Sequence, residues 1–120
     1  MIRILLAEDD ASMRQFLTLA LERAGHTVEA CEDGVSALRA VEANTEIDLL
    51  LADIVMPGMD GIELAKRANE IVPKLKVMFI TGFAAVALAQ KKDATPQPEV
   101  MSKPFHLKDL VNRVEELLAA

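Results

Sequence analysis

Three groups of polar residues interrupt the apolar runs of this sequence, and each carries side chains suited to handling a phosphoryl group. Glu8-Asp9-Asp10 places three carboxylates in succession. Asp53 closes an apolar run just ahead of Met56-Pro57-Gly58-Met59-Asp60-Gly61. Thr81 and the pair Lys103-Pro104 supply a hydroxyl and an ammonium. Crowded carboxylates disfavour one another's ionisation, and a divalent cation removes that cost. Magnesium prefers an octahedron of oxygens and keeps several waters. Asp9 and Asp53 can supply two carboxylates, with Glu8 or Asp10 holding a coordinated water and the backbone carbonyl of Val55 adding another oxygen. Once neutralised, the Asp53 carboxylate can serve as a covalent phosphoryl acceptor. Lys103, as a point charge, and Thr81, as a hydrogen-bond donor, can then contact the phosphoryl oxygens. The expected site is Asp53, Thr81 and Lys103 for the chemistry, with Glu8, Asp9, Asp53 and the Val55 carbonyl for Mg2+.

Each fragment also has a plainer reading. An acidic triplet can be a solvated loop that favours the N-terminus of the next helix. Thr81 before Gly82 suits a turn, and lysines such as Lys103 are mostly exposed. Asp53 resists such a reading, because an aspartate closing an all-apolar strand needs a partner. Taken together, in the order acids, Asp, Thr, Lys and each after an apolar run, the groups favour one shared pocket.

The elements that must position them alternate along the chain. Residues 2–7 read as a strand. Over residues 12–24, Met13, Phe16, Leu17, Ala20, Leu21 and Ala24 recur at helical spacing, and Gly25 stops the helix. Residues 27–31 alternate like a strand, and residues 36–43 carry a second helix face. Residues 47–52 are nearly all apolar, as expected of a parallel strand buried on both faces. A third helix follows the Pro-Gly turn over 62–71, a strand spans 76–80, Val100 and Met101 seed a short fifth strand, and a closing helix spans 107–118. Between them, residues 83–89 are apolar and residues 90–99 are polar, with Pro96 and Pro98 excluded from a helix interior. That segment reads as a short, weakly anchored helix followed by a loose loop. Its apolar part suits either core or a partner surface. The alternation predicts an α/β fold, a right-handed doubly wound parallel sheet of about five strands. Such sheets gather ligands at the carboxyl ends of their strands, where distant residues converge.

Composition narrows the setting. A chain of 120 residues, with 52% hydrophobic and 27% charged residues, is globular and long enough for a core. The net charge of -6 argues against a nucleic-acid partner. No apolar stretch approaches the ~20 residues of a membrane span, and the N-terminus leads into a strand rather than a signal sequence. The expectation is no membrane and no nucleic acid. A single cysteine, Cys31, fits a reducing cytoplasmic setting and reads as a small buried residue. His26 and His106 have no partner at metal spacing and read as helix-end or surface residues. Met56 and Met59 are expected to pack locally beside the site. There are no internal repeats and no linker.

The segments Leu5-Leu6-Ala7-Glu8-Asp9-Asp10, Asp53-Ile54-Val55-Met56-Pro57-Gly58-Met59-Asp60-Gly61, Thr81-Gly82 and Lys103-Pro104-Phe105 carry a resemblance. In combination they resemble the receiver domain of two-component response regulators, over essentially the whole chain. The resemblance implies a flavodoxin-like sheet of order 2-1-3-4-5 and a single receiver domain over residues 1–120 without an output domain. It makes Asp53 the phosphoacceptor, Asp9 with Glu8 the magnesium-binding acids, Thr81 the switch hydroxyl and Lys103 the phosphoryl-contacting lysine. It implies a monomer whose partners are a histidine kinase or a histidine phosphotransfer protein. More narrowly, residues 53–65, 78–88 and 102–111 resemble single-domain cell-cycle regulators of alphaproteobacteria. The role of that group is to adapt substrates to the ClpXP protease in the unphosphorylated form. Leu117-Leu118-Ala119-Ala120 likewise resembles the Leu-Ala-Ala terminus that ClpXP recognises. Two departures stand out: Val100 occupies the position where many receivers carry an aromatic switch residue, and the segment between Thr81 and Val100 is atypical. Three function classes compete: a phosphorylation-controlled interaction module, a phosphate shuttle to a histidine phosphotransfer protein, and a magnesium-dependent hydrolase with an aspartyl nucleophile. Such hydrolases carry a second acid two residues after the nucleophile, where this chain has Val55, so the expectation is not an enzyme.

Overall fold

The computed structural model describes residues 2–82 and 99–119. The expected fourth helix, the apolar stretch at 83–89 and the two-proline loop as far as residue 98 lie outside the described residues, as does Ala120. Five strands, β1 (Arg3–Ala7), β2 (Thr27–Cys31), β3 (Leu49–Asp53), β4 (Lys76–Thr81) and β5 (Glu99–Ser102), form one sheet. All pairings are parallel, in the order β2-β1-β3-β4-β5. Among the described residues four helices accompany it: α1 (Ala11–Arg23), α2 (Gly34–Ala43), α3 (Gly61–Ile71) and α4 (Leu107–Ala119). This is the doubly wound arrangement expected from the alternation of elements, in the flavodoxin-like order that the family resemblance implies.

Alternation along each strand splits the apolar residues between two cores. Leu5, Ala7, Leu50, Ala52 and Phe79 face α2 and α3, whose Ala37, Val41, Leu64 and Ala68 are buried with them. Ile4, Leu6, Leu49, Leu51, Met78 and Ile80 face the other way, against Leu17 and Leu21 of α1 and Leu110 and Val114 of α4. All five residues of β3 are buried, as its apolar run requires. Among the described residues no helix is long and apolar enough to cross a membrane.

Of the described helices that begin at the edge where the strands end, three are each started by an aspartate. Asp10, Asp33 and Asp60 accept hydrogen bonds from the backbone N–H groups of Met13 (3.0 Å), Ser36 (2.7 Å) and Glu63 (2.8 Å). Each cap satisfies a donor that the first helical turn leaves free. The caps also correct the expected boundaries, because α1 and α2 start at Ala11 and Gly34, earlier than apolar spacing alone places them. β3 extends to Asp53, which stays in register with Ile80, so the phosphoacceptor candidate lies within the strand. β5 starts at Glu99, opposite Met78, so Glu99 belongs to the sheet and not to the loop expected there. In the Met56 to Gly61 turn, Gly58 takes a φ of 76°, which favours glycine. Gly61 lies against the backbone of Asp53 and Ile54 with no room for a Cβ, so α3 begins directly behind the end of β3.

Leu50→Ala, a cavity in a fully buried position of β3, is expected to lower unfolding free energy by about 2–5 kcal/mol in chemical denaturation. Phe16→Ala, at a position 59% exposed, should change it by no more than about 0.5 kcal/mol.

Candidate functional site

Parallel pairing brings the ends of β1, β3, β4 and β5 to the same edge, so the residues there meet although they are far apart in sequence. Glu8 follows β1, Asp53 ends β3, Thr81 ends β4 and Lys103 follows β5. The Lys103 ammonium joins them, donating to Asp53 Oδ2 at 2.9 Å and to Glu8 Oε1 at 3.0 Å. The Lys103 backbone N–H donates to the Thr81 carbonyl at 2.7 Å, which locks the β5 exit to the β4 end. The second oxygen of each acid is also engaged: Asp53 Oδ1 accepts from the Val55 N–H at 3.1 Å, and Glu8 Oε2 from the Asp10 N–H at 3.1 Å. Glu8 and Thr81 are wholly buried, and Asp53 is 6% exposed.

Burying these charges perturbs them. Burial pushes Glu8 up to about 6 and the neighbouring Asp53 charge adds to it, while the Asp10 N–H and the Lys103 ammonium pull it back. Burial pulls Lys103 down, but its bonds to Asp53 and Glu8 more than offset that, and its pKa ends above the ordinary value. Lys103 therefore stays charged. Carboxylate oxygens of Glu8, Asp9 and Asp53 lie within 4.8 Å of one another, so three acids face one ammonium. Such an all-oxygen, excess-negative cluster suits a hard divalent cation. Beside it, the buried Thr81 hydroxyl has no hydrogen-bond partner among the described residues. An unpartnered buried hydroxyl costs roughly 1–3 kcal/mol, which makes it a ready donor to an oxygen-rich ligand.

Of the residues expected at the site, Glu8, Asp9, Asp53, Thr81 and Lys103 gather at this edge, and the Val55 backbone adjoins Asp53. Asp10 does not join the carboxylate cluster. It caps α1 instead, so its side chain serves the helix rather than the pocket. Arg14 was not among the expected residues, yet its Nη1 donates to the Glu8 carbonyl at 2.8 Å. The available signal was its place one helical turn beyond the acids. Cys31 is half-buried and its thiol is pushed up to about 11, by burial first and then by the Glu29 and Asp33 charges, so it stays protonated. His26 pairs with Glu115 at 3.1 Å, joining the start of β2 to α4 away from the pocket, and His106 is exposed. Met56 is buried, with Met59 packed against the same core.

The sequence profile of the response regulator receiver domain matches residues 4–115. The chain belongs to the response regulator receiver family. It is 59% identical over 120 residues to the response regulator receiver protein CpdR of Brucella abortus, covering 100% of this chain and 99% of that protein. Among solved structures, a response regulator receiver protein from Sinorhizobium medicae superposes with a TM-score of 0.88 at 32% identity, covering 99% of this chain and 95% of that one. The receiver domain of the hybrid histidine kinase CckA superposes with a TM-score of 0.83 at 34% identity, covering 97% of this chain and 98% of that one. The acidic pocket thus lies at the strand edge of a two-component receiver domain.

The raised Glu8 pKa carries a pH signature in the metal-free protein. Between the ordinary value of 4.5 and about 6, the folded state holds a proton that the unfolded chain has released. Rising pH across that window therefore lowers stability, and no such loss occurs below it. Glu8→Gln removes the effect. The melting temperature of Glu8→Gln minus that of wild type should climb between about pH 4.5 and pH 6 and then level off. A difference that is flat with pH would contradict the assignment.

Proposed function

We propose that this receiver domain accepts a phosphoryl group on Asp53 and thereby changes which proteins it binds. The observation that carries the reading is the Lys103 ammonium shared by Asp53 and Glu8, beside the buried and unpartnered Thr81 hydroxyl. Glu8, Asp9, Asp53 and the Val55 carbonyl would hold Mg2+, which when bound supplies positive charge that offsets repulsion between the acids and the incoming phosphoryl group. The donor is a histidine kinase or histidine phosphotransfer protein. The P–N bond to the donor histidine breaks as a P–O bond to Asp53 forms. Asp53 then carries its charge on the phosphoryl oxygens, and Lys103 follows that charge. Thr81, the last residue of β4, donates its hydroxyl to the same oxygens. The two groups convert a covalent event at Asp53 into a changed position of the β4 and β5 exits.

The finer reading is a receiver domain in the cytoplasm, monomeric, that adapts substrates to a ClpXP-type protease when unphosphorylated. The narrower sequence resemblance supports it, together with the 59% identity to the Brucella protein along the full chain. A phosphate shuttle is the competing reading, and partner capture separates the two. Protein bearing the phosphoryl group and the Asp53→Ala variant should recover different sets. An adaptor binds a non-kinase target in one state only, whereas a shuttle binds mainly phosphotransfer proteins.

Labelling from a small phosphodonor should require both Asp53 and a divalent cation. Asp53→Asn and excess chelator are each expected to reduce it to background, and equal labelling in either case would exclude the assignment. Lys103→Ala should still bind Mg2+ but lose the phosphorylation-dependent shift of backbone amide resonances around Thr81.

A further inference from the structure

The acidic turn after β1 is held at both hydrogen-bonding groups of Glu8's backbone. Its N–H donates to the Cys31 carbonyl at 3.1 Å, carrying the β1–β2 ladder one step past the Ala7–Cys31 pair. Its carbonyl accepts from Arg14 Nη1 at 2.8 Å. Arg14 also belongs to the helix: its backbone N–H donates to the Asp10 carbonyl at 2.9 Å, and its own carbonyl accepts from Thr18 Oγ1 at 2.7 Å. One half-buried side chain thus ties the first turn of α1 back onto the residue before Asp9. Asp9 is exposed, and among the described residues its carboxylate makes no hydrogen bond or ion pair of its own. Its place in the carboxylate cluster depends on the backbone on either side, which Glu8 and the Asp10 cap hold.

We infer that Arg14 is a positioning residue for cation binding: it fixes the Glu8 carbonyl, and through it aims the Asp9 carboxylate into the Glu8–Asp9–Asp53 cluster. The inference rests on the reading of that cluster as a magnesium site. Its sign sets it apart from a simple charge effect. A guanidinium beside an acidic cluster repels a cation, so by Coulomb's law alone its removal tightens Mg2+ binding. As a positioning residue its removal weakens binding, as loss of a partner that orients a metal ligand does. A role confined to anchoring α1 would lower the melting temperature and leave affinity unchanged.

The test is a titration of the full chain with MgCl2, followed through the backbone amide resonances of Glu8, Asp9 and Asp53, with no phosphodonor present. Arg14→Met keeps the aliphatic stem and removes charge and donors, and its Mg2+ dissociation constant should rise roughly tenfold. Arg14→Lys keeps the charge but not the planar fork of donors and should fall between the two. In the metal-free Arg14→Met spectrum, the Asp9 amide should already be displaced from its wild-type position. Unchanged or tighter binding by a folded Arg14→Met overturns the inference and leaves the magnesium reading standing. If Arg14→Met does not fold, wild-type affinity in Arg14→Lys overturns it equally. Absence of any Mg2+ response in the wild-type chain removes the magnesium reading and the inference together.

Discussion

One ammonium among three carboxylates is the constraint around which this pocket is organised. Lys103 reaches Asp53 and Glu8 at about equal distances, and without it two buried acids would repel each other at the ends of the buried strands β1 and β3. Isolated buried charges are too costly to persist, and like pairs more so. The sheet accommodates them because each remaining oxygen also finds a backbone N–H, from Val55 and from Asp10. The pair is balanced but not saturated. Asp9 stands beside it, and the Thr81 hydroxyl waits without a partner among the described residues. On the proposed reading, a site held in that condition responds to an incoming cation and phosphoryl group.

The rest of the fold serves that balance. Parallel pairing aligns four strand exits so that residues from positions 8, 53, 81 and 103 share one edge. The aspartate caps start α1, α2 and α3 at the same edge, which turns acids not used in the pocket into helix starts. Gly61 lets α3 begin against the Asp53 backbone. The Thr81 carbonyl accepts from the Lys103 N–H, so β4 and β5 leave the pocket mechanically joined. A shift at Lys103 or Thr81 is therefore felt by both strand exits.

Much of this was legible in the residues. Asp53 follows an apolar run of four, Leu49 to Ala52, and its burial required a partner cation, which Lys103 supplies. The alternation of apolar residues gave the sheet, because period-2 strands and period-3.6 helices leave different marks. Less visible were features set by single side chains rather than by pattern. Asp10 could have been a ligand or a cap, and only the position of the Met13 N–H decides for the cap. Arg14's bond to Glu8 crosses from helix to loop and follows from geometry alone. Glu99 entered β5 by pairing with a distant strand, against the polar character of its neighbours.

The claim at the centre of this account is that Asp53, and no other acid at the edge, becomes the acyl phosphate. The most direct measurement is borohydride reduction of protein phosphorylated in the presence of Mg2+, followed by peptide mass mapping. Reduction converts a phosphorylated aspartate to homoserine and leaves free carboxylates intact. The account predicts homoserine at position 53 alone. Homoserine at Asp9, Asp10 or Asp60, or none at position 53, would contradict it.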